Sequence, residues 1–230
     1  MNIVIIGGAG GIGSQLVHDL MGTHNLLVGY RSSSIDVPVE SVQLNASNFE
    51  SVSNLIQNAQ QKMGSVDAVV CLPGSLILKP AHKCSEDEFY YTIDTNLKTS
   101  FAVVRAVGEL LQNCSVVLMS TSAASIGLPN HELISASKAG VEGMVRSAAK
   151  TYARKNLRFN TVSPGMVDTP LTESITKNDI VRKASEKMHA LQRIGKPKDI
   201  SNMISFLINS ENDWITGQNF IIDGGLSSTK

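Results

Sequence analysis

A short run of small residues contains the side chains best placed for proton chemistry. In Ile134-Ser135-Ala136-Ser137-Lys138 the two end residues lie four positions apart, and on a helix such positions share one face. The ammonium of Lys138 would stabilise the ionised form of an acidic group at position 134, and that group could then pass a proton near neutral pH. Position 134 is occupied by isoleucine, which has no proton to donate.

Other side chains could serve the same chemistry. The hydroxyl of Thr121 could hold a substrate carbonyl, although its methyl group restricts the rotamer. His131, three residues before Ile134, has an intrinsic pKa suited to proton transfer, and the alternative is an ordinary loop histidine. Lys138 acting through a water, and His82, are the remaining alternatives for a proton donor.

A glycine-rich turn lies between the apolar run at residues 3–6 and an amphipathic segment. Its glycines have the spacing Gly7-x-x-x-Gly11-x-Gly13, with Ile12 before the last of them. Glycines let the backbone approach a pyrophosphate closely, and the N–H groups and dipole of the following helix favour an anion. The strand-turn-helix context therefore predicts a dinucleotide site.

The end of the second apolar run indicates which dinucleotide is preferred. An acidic side chain there would bind the ribose hydroxyls, but the sequence has Arg31 and Ser32. A guanidinium fork and a hydroxyl match a 2′-phosphate, which favours NADP(H) over NAD(H). The alternative is that Arg31 is a solvated loop charge.

Positioning these residues requires alternating strands and helices along the chain. Short apolar runs alternate with longer helical patterns, which is typical of a parallel sheet covered on both faces. We predict a single α/β domain over residues 1–230, a Rossmann-type doubly wound sheet of about seven strands flanked by helices. The strands are expected at residues 2–6, 25–30, 41–44, 67–71, 115–119, 157–162 and 218–222, and the helices at about 12–21, 48–62, 86–112, 132–155 and 197–209.

Two segments break this alternation. The stretch 31–40 is short, rich in serine and contains Pro38, so we expect no proper helix in this crossover. The segment 171–197 is polar and irregular, and its late position suits a lid over a substrate site.

These motifs together resemble the short-chain dehydrogenase/reductase family. The glycine spacing is similar to that family's, and residues 134–138 resemble its Tyr-x-x-x-Lys signature with Ile134 in place of the tyrosine. The segments 193–197 and 215–225 are similar to the C-terminal signature of β-ketoacyl-carrier-protein reductases. The resemblance covers essentially the whole chain.

The resemblance implies a role for several side chains. It implies that Lys138 holds the ribose, that Thr121 takes the place of the catalytic serine, and that Asn96 bends the fourth helix and holds a water in the proton relay. It also implies cofactor contacts from residues after the third, fourth and sixth strands, namely Asn45, Ala46, Gly74, Pro164, Gly165, Val167 and Thr169. The chain departs from the family pattern at Ile6, usually threonine, and at Cys71-Leu72-Pro73, where only Gly74 of Asn-Asn-Ala-Gly is kept.

Composition excludes several classes of protein. Twenty basic and twenty acidic residues give no net charge, and the basic residues are scattered, so we expect no nucleic-acid partner. The three cysteines lack metal-site or disulfide spacing, so we expect no metal and a reducing, cytoplasmic setting. The opening apolar run is too short for a signal peptide or a membrane span. The resemblance implies a homo-dimer or homo-tetramer acting on a small-molecule substrate.

Two hypotheses remain for the function. The first is an NADP(H)-dependent oxidoreductase for a small ketone or alcohol, with an atypical or impaired proton-transfer step. The second is a non-redox protein that keeps the dinucleotide site as a sensor, a scaffold subunit or a site of other chemistry. Thr121, Asn96, Lys138 and Pro164-Gly165 favour a retained cofactor, and Ile134 favours the second hypothesis.

Overall fold

The computed structural model describes residues 1–32, 35 and 37–229. Within them a parallel sheet of seven strands has the order β3-β2-β1-β4-β5-β6-β7. The strands are β1 (Asn2–Ile6), β2 (Asn25–Tyr30), β3 (Glu40–Gln43), β4 (Ala68–Cys71), β5 (Cys114–Met119), β6 (Leu157–Pro164) and β7 (Asn219–Ile222). The predicted α/β sheet is therefore confirmed, and each strand lies within two residues of its predicted bounds.

Helices cover both faces of the sheet. The α-helices are α1 (Gly11–Leu20), α2 (Phe49–Met63), α3 (Glu86–Thr92), α4 (Thr99–Leu110), α5 (Glu132–Thr151), α6 (Glu173–Thr176), α7 (Asp179–Met188) and α8 (Pro197–Ile208). Short 3₁₀ turns lie at Ala81–Lys83, Ser122–Ala124, Ala153–Lys155, Pro170–Thr172 and Ser210–Asn212. Among the described residues, no helix is long and apolar enough to cross a bilayer.

Each face of the sheet has its own hydrophobic core. On one face the buried residues of α2, α4 and α5 pack on the strands, and on the other those of α1 and α8 do so. The central strands contact both cores, and every residue of β5 and β6 is buried. Burial on both faces explains why these strands appear in the sequence as continuous apolar runs rather than alternating patterns.

Three helical predictions need correction. The predicted helix 86–112 is interrupted by a π-helical segment, Ile93–Lys98, between α3 and α4. The predicted helix 132–155 ends at Thr151, where a 3₁₀ turn and a left-handed Asn156 (φ 54°) replace the last turn. The segment 171–197, expected to be irregular, contains α6 and α7. The expectation of no helix in the crossover after Arg31 falls partly on residues 33, 34 and 36, which lie outside the described residues.

The strand order reverses at β1. The chain runs outward from β1 to β3 on one side and from β4 to β7 on the other, so the carboxyl ends of β1 and β4 border a crevice. Ile6 pairs with Cys71 at this edge. Ligands of doubly wound sheets bind in such a crevice, and the glycine-rich turn and Gly74 follow these two strands.

Candidate active site

The glycine-rich turn forms a cradle that leaves no room for a side chain at Gly8, Gly11 or Gly13. A Cβ added to Gly13 would lie 2.3 Å from the carbonyl oxygen of Gly7, and one on Gly11 would lie 2.8 Å from Thr169. Gly7 has φ +87°, a conformation that glycine adopts without strain. Gly10 precedes α1 and has no side chain to cap it, so the N–H groups of the first helical turn face the cradle. The turn fits a pyrophosphate held by backbone N–H groups.

A cavity of about 480 Å³ extends from this cradle along the sheet edge, and we call it the glycine-loop cavity. Arg31 and Ser32 line it and are both exposed. Asn45 also lines it, and its Oδ1 accepts hydrogen bonds from the N–H (3.3 Å) and hydroxyl (2.9 Å) of Ser47. The predicted cofactor residues in this cavity are Gly7, Gly11, Ile12, Gly13, Arg31, Ser32, Asn45, Ala46, Gly74 and Thr169.

A second cavity of about 440 Å³ adjoins the first, and we call it the Lys138 cavity. It contains the predicted catalytic positions Asn96, Thr121, His131, Ile134 and Lys138, together with the predicted cofactor residues Pro164, Gly165 and Val167. The two cavities share the wall residues Ile12, Leu72, Gly74, Thr169 and Leu171. A dinucleotide seated on the glycine cradle could therefore extend from one cavity into the other.

Lys138 is fixed at the end of the central strands. Its Nζ donates a 2.9 Å hydrogen bond to the carbonyl oxygen of Met119, and the side chain is 6% exposed. Burial lowers the pKa of Lys138 to about 8, and the neighbouring Cys71 opposes this shift weakly. The same burial raises the pKa of the Cys71 thiol to about 12, so the thiol is protonated at neutral pH.

Position 134 is part of the wall of the Lys138 cavity. Ile134 lies one helical turn before Lys138 on α5 and is 3% exposed. Its side chain presents only hydrocarbon where an acidic group would meet a substrate oxygen. The proton-donating position of the resembled signature is therefore apolar in the folded protein.

Thr121 and His131 approach the same cavity from the loop between β5 and α5. The Oγ1 of Thr121 accepts a long 3.4 Å hydrogen bond from Ala123 N–H, and the side chain is half-buried. The ring of His131 is also half-buried, with Nδ1 2.7 Å from the carbonyl oxygen of Pro129. Because a carbonyl only accepts, Nδ1 carries hydrogen and the neutral ring keeps its lone pair on Nε2.

Asn96 sits inside the π-helical segment, and its side chain holds the loop after β4. Its Nδ2 donates to the Ser75 hydroxyl (2.9 Å) and to the carbonyl of Thr92 (3.0 Å), while its Oδ1 accepts from Ser75 N–H (3.2 Å). Its own carbonyl accepts from the Ser100 hydroxyl at 2.9 Å. One amide hydrogen of Asn96 thus positions the loop after β4 through Ser75, and the other bonds the Thr92 carbonyl one helical turn earlier.

Two supporting groups were missed from the sequence. Glu142, one turn beyond Lys138, accepts hydrogen bonds from Ser120 (2.6 Å) and Ser163 (3.4 Å) and so ties α5 to the ends of β5 and β6. The sequence shows that Glu142 lies four residues after Lys138, but it does not reveal the serine partners of Glu142. His189, in the wall of the Lys138 cavity, is 2% exposed, and no sequence pattern pointed to it.

Among the described residues, no group of three or more His, Cys, Asp or Glu side chains is arranged to hold a metal ion.

Known proteins resemble this chain in sequence. The family described as enoyl-(acyl carrier protein) reductase matches residues 28–227. The 3-oxoacyl-(acyl-carrier-protein) reductase FabG of Thermotoga maritima is 32% identical over 191 residues, covering 82% of this chain and 77% of that protein. The 3-oxoacyl-(acyl-carrier-protein) reductase MabA of Mycobacterium bovis is 25% identical over 229 residues, covering 98% of this chain and 92% of that protein.

Solved structures share the fold over the whole chain. Ligand-free aldohexose dehydrogenase of Thermoplasma acidophilum superposes with a TM-score of 0.91 at 25% identity, covering 100% of this chain and 95% of the other. A short chain dehydrogenase family protein of Francisella tularensis superposes with a TM-score of 0.88 at 25% identity, covering 99% of each chain. The glycine cradle at the strand-order reversal, the buried lysine on α5 and these likenesses agree, and the chain belongs to the short-chain dehydrogenase/reductase family of oxidoreductases.

Proposed function

We propose that the protein is an NADP(H)-dependent oxidoreductase for a small, largely apolar ketone or alcohol, with a slow proton-transfer step. The observation that carries this proposal is the continuity of the two cavities. The glycine cradle and Arg31 lie in one, Thr121 and Lys138 lie in the other, and the two share one wall. When bound, the nicotinamide would supply or accept the hydride.

The chain's own residues then determine how the substrate is held. The Thr121 hydroxyl orients the carbonyl, and the buried ammonium of Lys138 holds a ribose beside it. The remaining wall is mainly hydrocarbon, with Leu76, Leu128 and Met188 among its residues. Such a lining favours a substrate whose body is apolar and whose carbonyl is its main polar group.

Proton transfer is the step that this site performs poorly. A positioned general acid contributes roughly 10²–10⁴ in rate, and Ile134 supplies none. His131 is our candidate for a replacement donor, because its ring lines the cavity and a protonated Nε2 could donate to a substrate oxygen. Without an effective donor, the proton comes from water at a lower rate.

The names of the relatives support the substrate class only broadly. They include 3-oxoacyl-(acyl-carrier-protein) reductases, hydroxynaphthalene reductase-like proteins and a tropinone reductase homolog. We infer for this chain the shared feature, reduction at one carbon–oxygen centre attached to an apolar body.

One observation favours a second function, a dinucleotide-binding protein without redox turnover. Ile134 is buried and fills the acid position with hydrocarbon, while the glycine cradle is kept. The test is reduction of a simple diketone, butane-2,3-dione, by NADPH. Slow turnover that Ile134→Tyr accelerates supports the oxidoreductase, whereas NADPH binding with no turnover in either form supports the second function.

We also propose that the protein forms a homo-dimer or homo-tetramer. Large apolar side chains lie exposed on α3 and α4, where Phe89, Tyr90, Tyr91 and Phe101 are 47–57% exposed. Exposed aromatic side chains on these two successive helices are favourable for self-association.

A further inference from the structure

His189 is a buried residue at the end of α7, in the segment expected to form a lid, and the rest of this helix faces solvent. The residue follows α7, none of whose residues is buried, yet His189 itself is 2% exposed. Its ring packs against the β6 and β7 ends, where a Cβ on Gly165 would lie 2.9 Å from Nε2 and one on Gly224 would lie 3.6 Å from the ring. The ring therefore lies between α7 and the carboxyl ends of β6 and β7.

The hydrogen bonds of His189 determine which ring nitrogen can accept. Its Nδ1 lies 2.7 Å from the carbonyl oxygen of Ser185, one turn earlier. Because that oxygen only accepts, Nδ1 carries the hydrogen and the neutral ring has a lone pair on Nε2. Among the described residues, no group donates to this buried Nε2.

The residue that carries this buried, unpartnered nitrogen lines the Lys138 cavity. His189 and Gly165 are among the residues that line this cavity, as are Met166, Met188 and Leu226, whose side chains carry no hydrogen-bond donor. A buried acceptor without a donor is unfavourable, so a ligand that brings a hydrogen to it gains binding energy. The hydroxyl of Thr121 reaches the cavity from a different element, the loop after β5.

We propose that His189 is a specificity-determining residue, whose Nε2 accepts a hydrogen bond from a hydroxyl group that the substrate carries in addition to its reacting carbon–oxygen centre. This inference rests on the proposed function, which makes the Lys138 cavity the substrate pocket. It narrows the substrate class to apolar ketones or alcohols with a second, hydroxyl-bearing position. A site that hydrogen-bonds a substrate hydroxyl discriminates strongly against the analogue lacking it.

The experiment compares two probes that differ only in a hydroxyl group, 4-ethylphenol and ethylbenzene. Their dissociation constants are measured by ligand-observed NMR on the full chain, first alone and then with NADP⁺ present. We expect 4-ethylphenol to bind about 10-fold more tightly, the gain of one neutral hydrogen bond. In His189→Phe this preference should fall below about 2-fold, and in His189→Gln, whose amide oxygen can accept, part of it should return.

The matched control is His131→Phe, which removes the other histidine of the same cavity and should leave the preference unchanged. A readout on the unmutated protein covers the case in which a variant does not fold. The ¹⁵N resonance of His189 Nε2 should move upfield when 4-ethylphenol is added and should not move with ethylbenzene.

Several outcomes would overturn the inference. They are equal affinity for the two probes, no binding of either, a preference that survives in His189→Phe, or one that disappears in His131→Phe. Because the probes are not turned over, the result does not depend on hydride transfer. If the protein prefers the hydroxyl probe but never oxidises NADPH, hydroxyl binding by His189 is supported and the proposed oxidoreductase activity is rejected.

Discussion

The Nζ of Lys138 donates to the carbonyl oxygen of Met119 at 2.9 Å, so this buried lysine is tied to the end of β5 and not to any group at position 134. The ammonium gains one backbone acceptor but loses nearly all its hydration. Burial therefore lowers its pKa to about 8. The side chain keeps its place in the active site at a cost to the stability of the folded protein.

This cost has a measurable pH dependence. The pKa of Lys138 falls from 10.5 to about 8 on folding, so between these values the unfolded chain binds more protons than the folded one. The free energy of unfolding therefore rises with pH through this window, by about 3 kcal/mol from this residue. Between pH 7 and pH 10.5, the free energy of unfolding of wild type should rise by this amount relative to that of Lys138→Met. Urea denaturation measures both.

Lys150→Met removes an exposed lysine from the same helix and serves as the control for that experiment. Its free energy of unfolding should follow the wild-type pH dependence. A constant difference between wild type and Lys138→Met across the window would show that Lys138 is not desolvated in solution.

The close packing of the glycine cradle predicts that one added methyl group weakens nucleotide binding. In Gly13→Ala the new Cβ would lie 2.3 Å from the Gly7 carbonyl oxygen, so the turn must shift and its N–H groups must leave their positions. We expect NADPH affinity to fall by at least about 100-fold and stability by about 1–3 kcal/mol. Gly127→Ala, whose Cβ would meet nothing within 4 Å, is the matched control. Unchanged affinity in Gly13→Ala would place the nucleotide elsewhere.

The position of Arg31 in the glycine-loop cavity predicts a preference for NADPH over NADH. A charge-assisted hydrogen bond to the 2′-phosphate is worth about 1.5–3 kcal/mol, so Arg31→Ala should weaken NADPH binding about 10- to 100-fold and leave NADH nearly unaffected. Fluorescence titration measures both affinities. Arg146→Ala, an exposed arginine on α5 outside both cavities, should change neither. Equal or reversed affinities in wild type would rule out the role given to Arg31.

Self-association should depend on the exposed aromatic side chains of α3 and α4. We expect light scattering to give the mass of a dimer or tetramer, and Phe101→Glu, which puts a charge on a side chain 49% exposed, to shift it toward monomer. Ile180→Glu changes an equally apolar side chain on α7, 82% exposed, and should leave the mass unaltered. A monomeric wild type would refute the proposal.

The strands and the site positions could be predicted from the sequence because their signals are local. An apolar run bounded by turn residues, such as the one ending at Ile6, gives a buried strand, and parallel strands bring their carboxyl ends to one edge. Glycine spacing and the i, i+4 pairing of Ile134 and Lys138 likewise depend on neighbours in the chain. The structure brings the residues predicted in this way into two adjoining cavities.

The remaining features depend on contacts between distant residues. The π-helical segment is accompanied by hydrogen bonds between Asn96 and Ser75, 21 residues earlier, which a hydrophobic period does not reveal. The burial of His189 depends on Gly165 and Gly224 leaving room for its ring, whereas its own neighbours in sequence are polar or exposed. The helices α6 and α7 were missed because the segment is polar overall and buries few side chains, although α7 itself is amphipathic.

The central claim is that the site lacks only its proton donor, and Ile134→Tyr tests it directly. The new phenol would enter the Lys138 cavity beside a buried ammonium, and we expect the rate of butane-2,3-dione reduction by saturating NADPH to rise roughly 10²–10⁴-fold. Ile134→Phe adds the same ring without the hydroxyl and should give no increase, while NADPH affinity, measured in parallel, should be similar in all three forms.

The decisive measurement is therefore the rate of NADPH oxidation at saturating diketone in wild type, Ile134→Tyr and Ile134→Phe. A large gain confined to the tyrosine variant is the predicted result. Wild-type activity equal to that of Ile134→Tyr would contradict the account, because another residue would then be supplying the proton efficiently.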